Sequence, residues 1–250
     1  TGNVSLNQLT LGGDAGSTFI VTFYEYAPLV GPISAPTINT SFNGTTGNLS
    51  LSSISVTPGN LLVLIVGQYN DHSGSGTLAA PSLPSGLVDA WQLIDGAVAN
   101  NFSAGTQAGG IWAYWGLASS GTTVTQTLHA VHTQYRGVLL EIAGGDSIGA
   151  HLASASANVG SLSGTLTGAL STSVTIAGCY VSGGNGALPN TNWTEDQDIT
   201  SFMYFQLQHA LPGNTAAAVA ETFGSSRDMV LCAFEVKPRP LHTPRLRRQQ

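Results

Sequence analysis

Four groups of residues in this chain could do chemistry. His129-Ala130-Val131-His132 sets two imidazoles three apart, with Glu141 downstream, and histidine pairs often hold zinc. In a strand, however, positions three apart face opposite sides. No second cluster supplies the missing ligands, so these are expected to be loop or strand-end histidines. Glu195, Asp196 and Asp198 follow Trp193. Paired carboxylates beside an aromatic could hydrolyse a glycoside or hold Ca²⁺. A solvated acidic loop is the simpler reading, and such a loop is a candidate receptor for a basic partner segment. Serines are abundant, but no Gly-x-Ser-x-Gly sits on a strand-to-helix elbow. Gly12-Gly13-Asp14-Ala15-Gly16 lacks the Lys-Ser/Thr of a phosphate loop. Trp91, Trp112, Trp115 and Trp193 could stack on sugars, though within strands such rings are more often core. Trp112 and Trp115 must face opposite sides of one strand. No catalytic residue, metal site or cofactor is assigned.

Charge is the second source of functional information. Only 8% of the 250 residues are charged, against about 25% in an average soluble domain. A surface built from Gly, Ser, Thr, Asn and Ala suits an assembly or an extracellular setting better than a free cytoplasmic enzyme. The formal net charge of −6 conceals a division. Lys237, Arg239, Arg245, Arg247 and Arg248 lie in the last fourteen residues, while the preceding 236 carry all 13 acidic residues against Arg136 and Arg227. The tail also holds Pro238, Pro240 and Pro244, which favour extended backbone. It is expected to be an arm for an acidic protein surface, with Glu195, Asp196 and Asp198 as one candidate receptor. The acidic body disfavours nucleic acid. No signal peptide or transmembrane segment is visible. Cys179 and Cys232 could pair across neighbouring strands or be two buried thiols.

The elements that must position these groups are strands. Pro58-Gly59-Asn60 is a turn signal, and Leu61 to Val66 is an unbroken aliphatic run. That run is too short for a membrane span and too apolar for a strand with one wet face, so it reads as a buried central strand. The surrounding pattern recurs about a hundred residues later. Leu162 to Leu170 matches the alternating stretch Leu49 to Val56, Val174 to Val181 matches the central strand, and Trp193 matches Trp91. Arg227 to Phe234 matches Arg136 to Ala143. Ala216 to Phe223 has helix-favouring composition, but its counterpart Thr122 to Leu128 is strongly β, so a strand is expected. Thr18 to Tyr26 is a further strand signal ahead of a proline-rich stretch.

The expected fold is all-β: an antiparallel, jelly-roll-like sandwich of two tandem pseudo-repeats of about six strands. Residues 1–36 form an N-terminal arm with one strand, 37–145 and 146–236 the two repeats, and 237–250 the basic tail. Two small sandwiches, or one larger sandwich built from both halves, fit equally well.

Four stretches carry a resemblance: Pro58 to Val66, Ser85 to Leu93, Ile111 to Ser119 and Arg136 to Asp146, echoed at Trp193, Phe202 to Leu211 and Met229 to Pro238. Over roughly residues 38–238 the chain resembles repeated β-sandwich domains of tailed-phage virion proteins and related secreted bacterial surface proteins. It departs at Ser173-Val174-Thr175-Ile176, which replaces the Leu-Leu-Val run. The resemblance implies a structural virion protein, a capsid decoration or cementing protein on the particle surface. Its partners would be the major capsid protein or tail proteins and further copies of itself, with a trimer preferred, and it carries over no catalytic residue. The alternatives are a tail or fibre component and a secreted carbohydrate-binding module.

Overall fold

The computed structural model describes residues 30–45, 47–70, 78–102, 107–130, 132–182, 191–199, 203–213 and 218–241. The strand expected at Thr18 to Tyr26 and the tail residues Arg245, Arg247 and Arg248 lie outside the described residues. The run Leu61–Asn70 is β3, and all ten of its residues are buried. Leu61, Val63, Ile65 and Tyr69 point into one apolar cluster, and Leu62, Leu64 and Val66 into another. A strand covered on both faces reads as a continuous apolar run rather than an alternating one.

β3 is central to the first of two five-stranded antiparallel sheets. Its order is β1 (Thr37–Gly44), β7 (Gln134–Ile142), β3, β5 (Gln107–Leu117) and β4 (Gln92–Phe102). The second sheet runs β8 (Gly145–Thr165), β12 (Ala218–Pro238), β9 (Val174–Ser182), β11 (Met203–Ala210) and β10 (Thr194–Ile199). Written this way, first strand beside last and the second strand in the middle, the two orders are the same. The repeat in the sequence is therefore a repeat of topology.

The two sheets face each other across one core. Val63, Ile65, Ile111 and Leu140 from the first meet Ile176, Tyr180, Phe205 and Phe234 from the second. Each half supplies one sheet of a single sandwich. Gly67 and Tyr180 both stand seventh in their strands, and Ile65 and Gly178 both stand fifth. A Cβ at Gly67 would lie 2.8 Å from the Tyr180 ring, and one at Gly178 would lie 3.2 Å from Ile65. At each level one half carries the bulk and the other carries none.

The outer faces are covered too. A small ribbon, β2 (Leu49–Leu51) with β6 (Val124–Gln126), folds over sheet one and buries Leu49 and Val124 against Leu62, Leu64 and Trp112. In the second half the same cover is continuous with the sheet. The far ends of β8 and β12 pair, Leu162 opposite Glu221, and curl over sheet two as a half-barrel. Leu162, Val219 and Phe223 pack there on Ala177, Val181 and Tyr204. The stretch with helix-favouring composition is strand from Ala218 onward, because its alternate residues Val219, Glu221 and Phe223 are needed as a buried face. β4 pairs with β5 along most of its length.

Matching glutamates tie the sheets to the turns that feed their central strands. Glu141 stands opposite Leu62, and Glu235 opposite Thr175. Glu141 Oε1 accepts the Thr57 amide (2.8 Å) and Asn60 Nδ2 (2.7 Å). Glu235 Oε1 accepts the Leu170 amide (2.8 Å) and Ser173 Oγ (2.6 Å), and its Oε2 accepts the Ala150 amide (2.9 Å). The crossover between sheets is Ala143-Gly144. Gly144 has φ +77°, and a Cβ there would meet the Pro32 carbonyl at 2.0 Å, so only glycine fits.

Glu235 is fully buried, whereas Glu141 is partly exposed. Glu235→Ala leaves the buried Ser173 hydroxyl and the part-buried Leu170 and Ala150 amide bonds without their acceptor and should lower unfolding stability by roughly 2–4 kcal/mol. Glu141→Ala should cost about 1–2 kcal/mol. Urea titrations of both variants check the order, and equal losses would mean that burial does not set the difference.

Candidate functional site

The side of the sandwich where β1 and β10 lie is the candidate site: each is an outermost strand of its sheet, and among the described residues no strand pairs with its outer edge. A groove of about 330 Å³ separates them, lined by Ser41, Phe42 and Asn43 of β1 and Gln197, Asp198 and Ile199 of β10. The other two outermost strands, β4 and β8, meet on the opposite side. There β4 packs on β8 and β12, and His151 Nδ1 meets Asp95 Oδ2 at 2.9 Å. Both open strands are irregular. β1 has a register break at Asn39 and β10 one at Asp196, and such bulges discourage continuous pairing with a foreign strand.

Glu195, Asp196 and Asp198 were expected in a solvated loop; they lie on β10 instead, held in register by β11. Each carboxylate has a partner on β11. Gln206 Nε2 donates to Glu195 Oε2 at 3.0 Å, and the Tyr204 hydroxyl donates to Asp198 Oδ1. Both Asp196 oxygens lie 2.8 Å from His209 Nδ1. The side chains of that last pair are only 7% and 13% exposed, so Asp196 is committed to the fold. Asp198 alone of the three lines the groove.

The basic tail divides in the same way. Lys237 and Pro238 belong to β12, pairing with Ser147 and Gly145. The Arg239 amide donates to the Gly144 carbonyl and its own carbonyl accepts from Gly31, both at 2.8 Å. Its guanidinium donates to the carbonyls of Gly59 and Gly145, with Asp146 at 3.9 Å. Arg239 thus braces the turn before β3 and the crossover between sheets.

The remaining candidates are structural in position. His132 is buried against Tyr135, and its Nδ1 meets the His129 carbonyl. Among the described residues no group of three or more His, Cys, Asp or Glu could hold a metal ion. Trp91, Trp112 and Trp193 are buried on the outer faces of their sheets. Trp112 lies across Gly96 and Gly110, while Trp115 points to the inner core and is half-buried. Cys179 belongs to the outer cluster and Cys232 to the inner one, so the thiols face opposite sides of sheet two and both are free. Burial pushes both thiols up in pKa. A second groove, about 300 Å³, runs along the β2–β6 ribbon beside Ser82, Leu83 and Ser85.

Sequence reasoning missed His209, Gln206, Gln208 and Glu221. The signal was there: Tyr204, Gln206 and Gln208 alternate with Met203, Phe205 and Leu207. Period-two alternation normally marks a wet face, but here the polar face is roofed by the half-barrel.

No family model, curated protein or solved structure matches this chain.

Asp196→Ala strands His209 in a buried position and should cost roughly 2–3 kcal/mol in urea unfolding. Thiol labelling of the native chain should be slow at both cysteines and become complete in denaturant; a fast-reacting native thiol would contradict the buried placement.

Proposed function

We propose that this chain is a structural virion protein of a tailed bacteriophage, a capsid decoration or cementing protein that sits on the outer surface of the particle. It performs no reaction. It binds the capsid shell and neighbouring copies through sandwich surface and terminal arms, with a trimer as the preferred state. The observation that supports this reading best is the open side of the sandwich. Two strand edges that no described strand pairs with lie there side by side, with a groove between them, in a sandwich whose central strands are buried on both faces. The low surface charge and the separation of an acidic body from a basic terminus agree with a protein designed to be packed.

In this reading Arg245, Arg247 and Arg248 of one copy reach the acidic β10 edge of another. Glu195 and Asp198 supply the charge, since Asp196 is already bound to His209. Arg239 belongs to the folded body, so the arm proper begins after Leu241. Association would draw its energy from apolar burial and edge pairing, with the charges setting register.

Light scattering after size exclusion tests it, on the full chain and on a version ending at Leu241. The full chain should be a trimer or larger, and the shortened chain should fall towards monomer. High salt should have the same effect as truncation. Monomers for both at every salt concentration would overturn the assembly reading.

A further inference from the structure

The roof over sheet two contains a carboxyl group where the roof over sheet one contains an amide. Gln126 stands opposite Leu49 in the first ribbon, and Glu221 stands opposite Leu162 in the second. Both positions are buried, and Glu221 is fully so. Gln208 Nε2 donates to Glu221 Oε1 at 2.7 Å and to the Ala220 carbonyl at 3.2 Å. Glu221 Oε2 has no hydrogen-bond partner among the described residues. The charged groups that act on it, Asp198 and Glu195 on β10, are both acidic, and the Cys179 thiol of β9 is also near enough to interact. Tyr204, bonded to Asp198, also lies in the cluster that the roof covers. A neutral acid can lie in such a place with one good bond. A carboxylate there would be a buried charge with no cation beside it among the described residues, repelled by two further carboxylates, which is unfavourable.

We propose that Glu221 is a proton-operated latch: protonated, it keeps the curled end of the β8–β12 hairpin (159–165 and 218–223) closed on sheet two, and ionised, it lets that end lift. Lifting uncovers Tyr204, Phe223 and Trp193, the apolar face that the roof buries. The direction follows from linkage. Burial pushes the Glu221 carboxyl well above the usual carboxylate range; the Gln208 bond opposes the rise, and Asp198 and Glu195 add to it. The closed form therefore holds a proton that the open form releases. Its hold is complete below the ordinary value of 4.5 and is lost as pH rises towards the closed form's higher value. Between the two, the open population grows about tenfold per pH unit.

Amide hydrogen exchange on the full chain, between about pH 5 and 9 and corrected for intrinsic chemistry, reads this directly. Opening at 159–165 and 218–223 should climb by up to about tenfold per pH unit, while β3 and β9 stay protected at all pH. Glu221→Gln, which installs the amide that Gln126 provides in sheet one, should give a flat, protected profile. Glu195→Gln, which removes one opposing charge and so lowers the closed form's value, should make the rise level off at lower pH and at a smaller extent of opening. Cys179 should gain labelling over Cys232 as pH rises in the wild type, and should lose that lead in Glu221→Gln. A wild-type profile without a slope, or the wild-type slope kept in Glu221→Gln, overturns the latch.

Discussion

The closeness of β3 to β9 is the constraint on which the rest depends. The Tyr180 ring rests on Gly67, and Ile65 rests on Gly178. Both pairs join positions that are equivalent in the two halves. If both halves carried tyrosine at that level the rings would collide; if both carried glycine, a void would open in the centre of the core. Two identical repeats could not pack at this spacing, because a close-packed interior tolerates neither overlap nor a hole. The divergence of the second repeat, with its weaker apolar run at Ser173 to Ile176, is thus partly a requirement of packing one half on the other.

Covering both faces of both sheets follows from the same arrangement. Once the inner faces are spent on each other, the outer apolar faces need covers of their own, and each half folds a two-stranded piece over its sheet. In the first half the piece is a detached ribbon. In the second it is the continuation of β8 and β12, which curls because it must reach back over the sheet it belongs to. The glutamates at 141 and 235 fix the turns that launch β3 and β9, so strand register and turn geometry are set together. Arg239 and the Gly31 to Ser34 segment then lock the crossover from sheet to sheet.

That economy leaves one side unfinished. β4 and β8 meet at one margin of the sandwich, while β1 and β10 lie at the other around a polar groove. Bulges at Asn39 and Asp196, together with the β10 carboxylates, restrain indiscriminate strand pairing there. A margin that is exposed yet guarded suits docking by a chosen partner, and this is why the assembly reading is preferred over a catalytic one.

The sequence by itself determined the all-β class, the burial of Leu61 to Val66, the existence of an internal repeat and the strand state of the stretch from Ala218. Each of these is written in short-range pattern: an apolar run between turn residues, β-branched composition, and motifs recurring in the same order. Trp112 and Trp115 facing opposite sides also followed from strand periodicity alone. Tertiary structure decided that the two halves share one core, since the pattern of a sheet buried on both faces is the same whether its cover is a partner sheet or a loop. It placed Glu195, Asp196 and Asp198 on an edge strand rather than in a loop, because their register is imposed by β11, to which they are bonded. It turned Cys179 and Cys232 to opposite faces, an outcome set by how β9 aligns with β12. It also brought Glu221 over Gln208, because curvature of a long hairpin depends on the surface it must cover and leaves no local mark in the residues that bend.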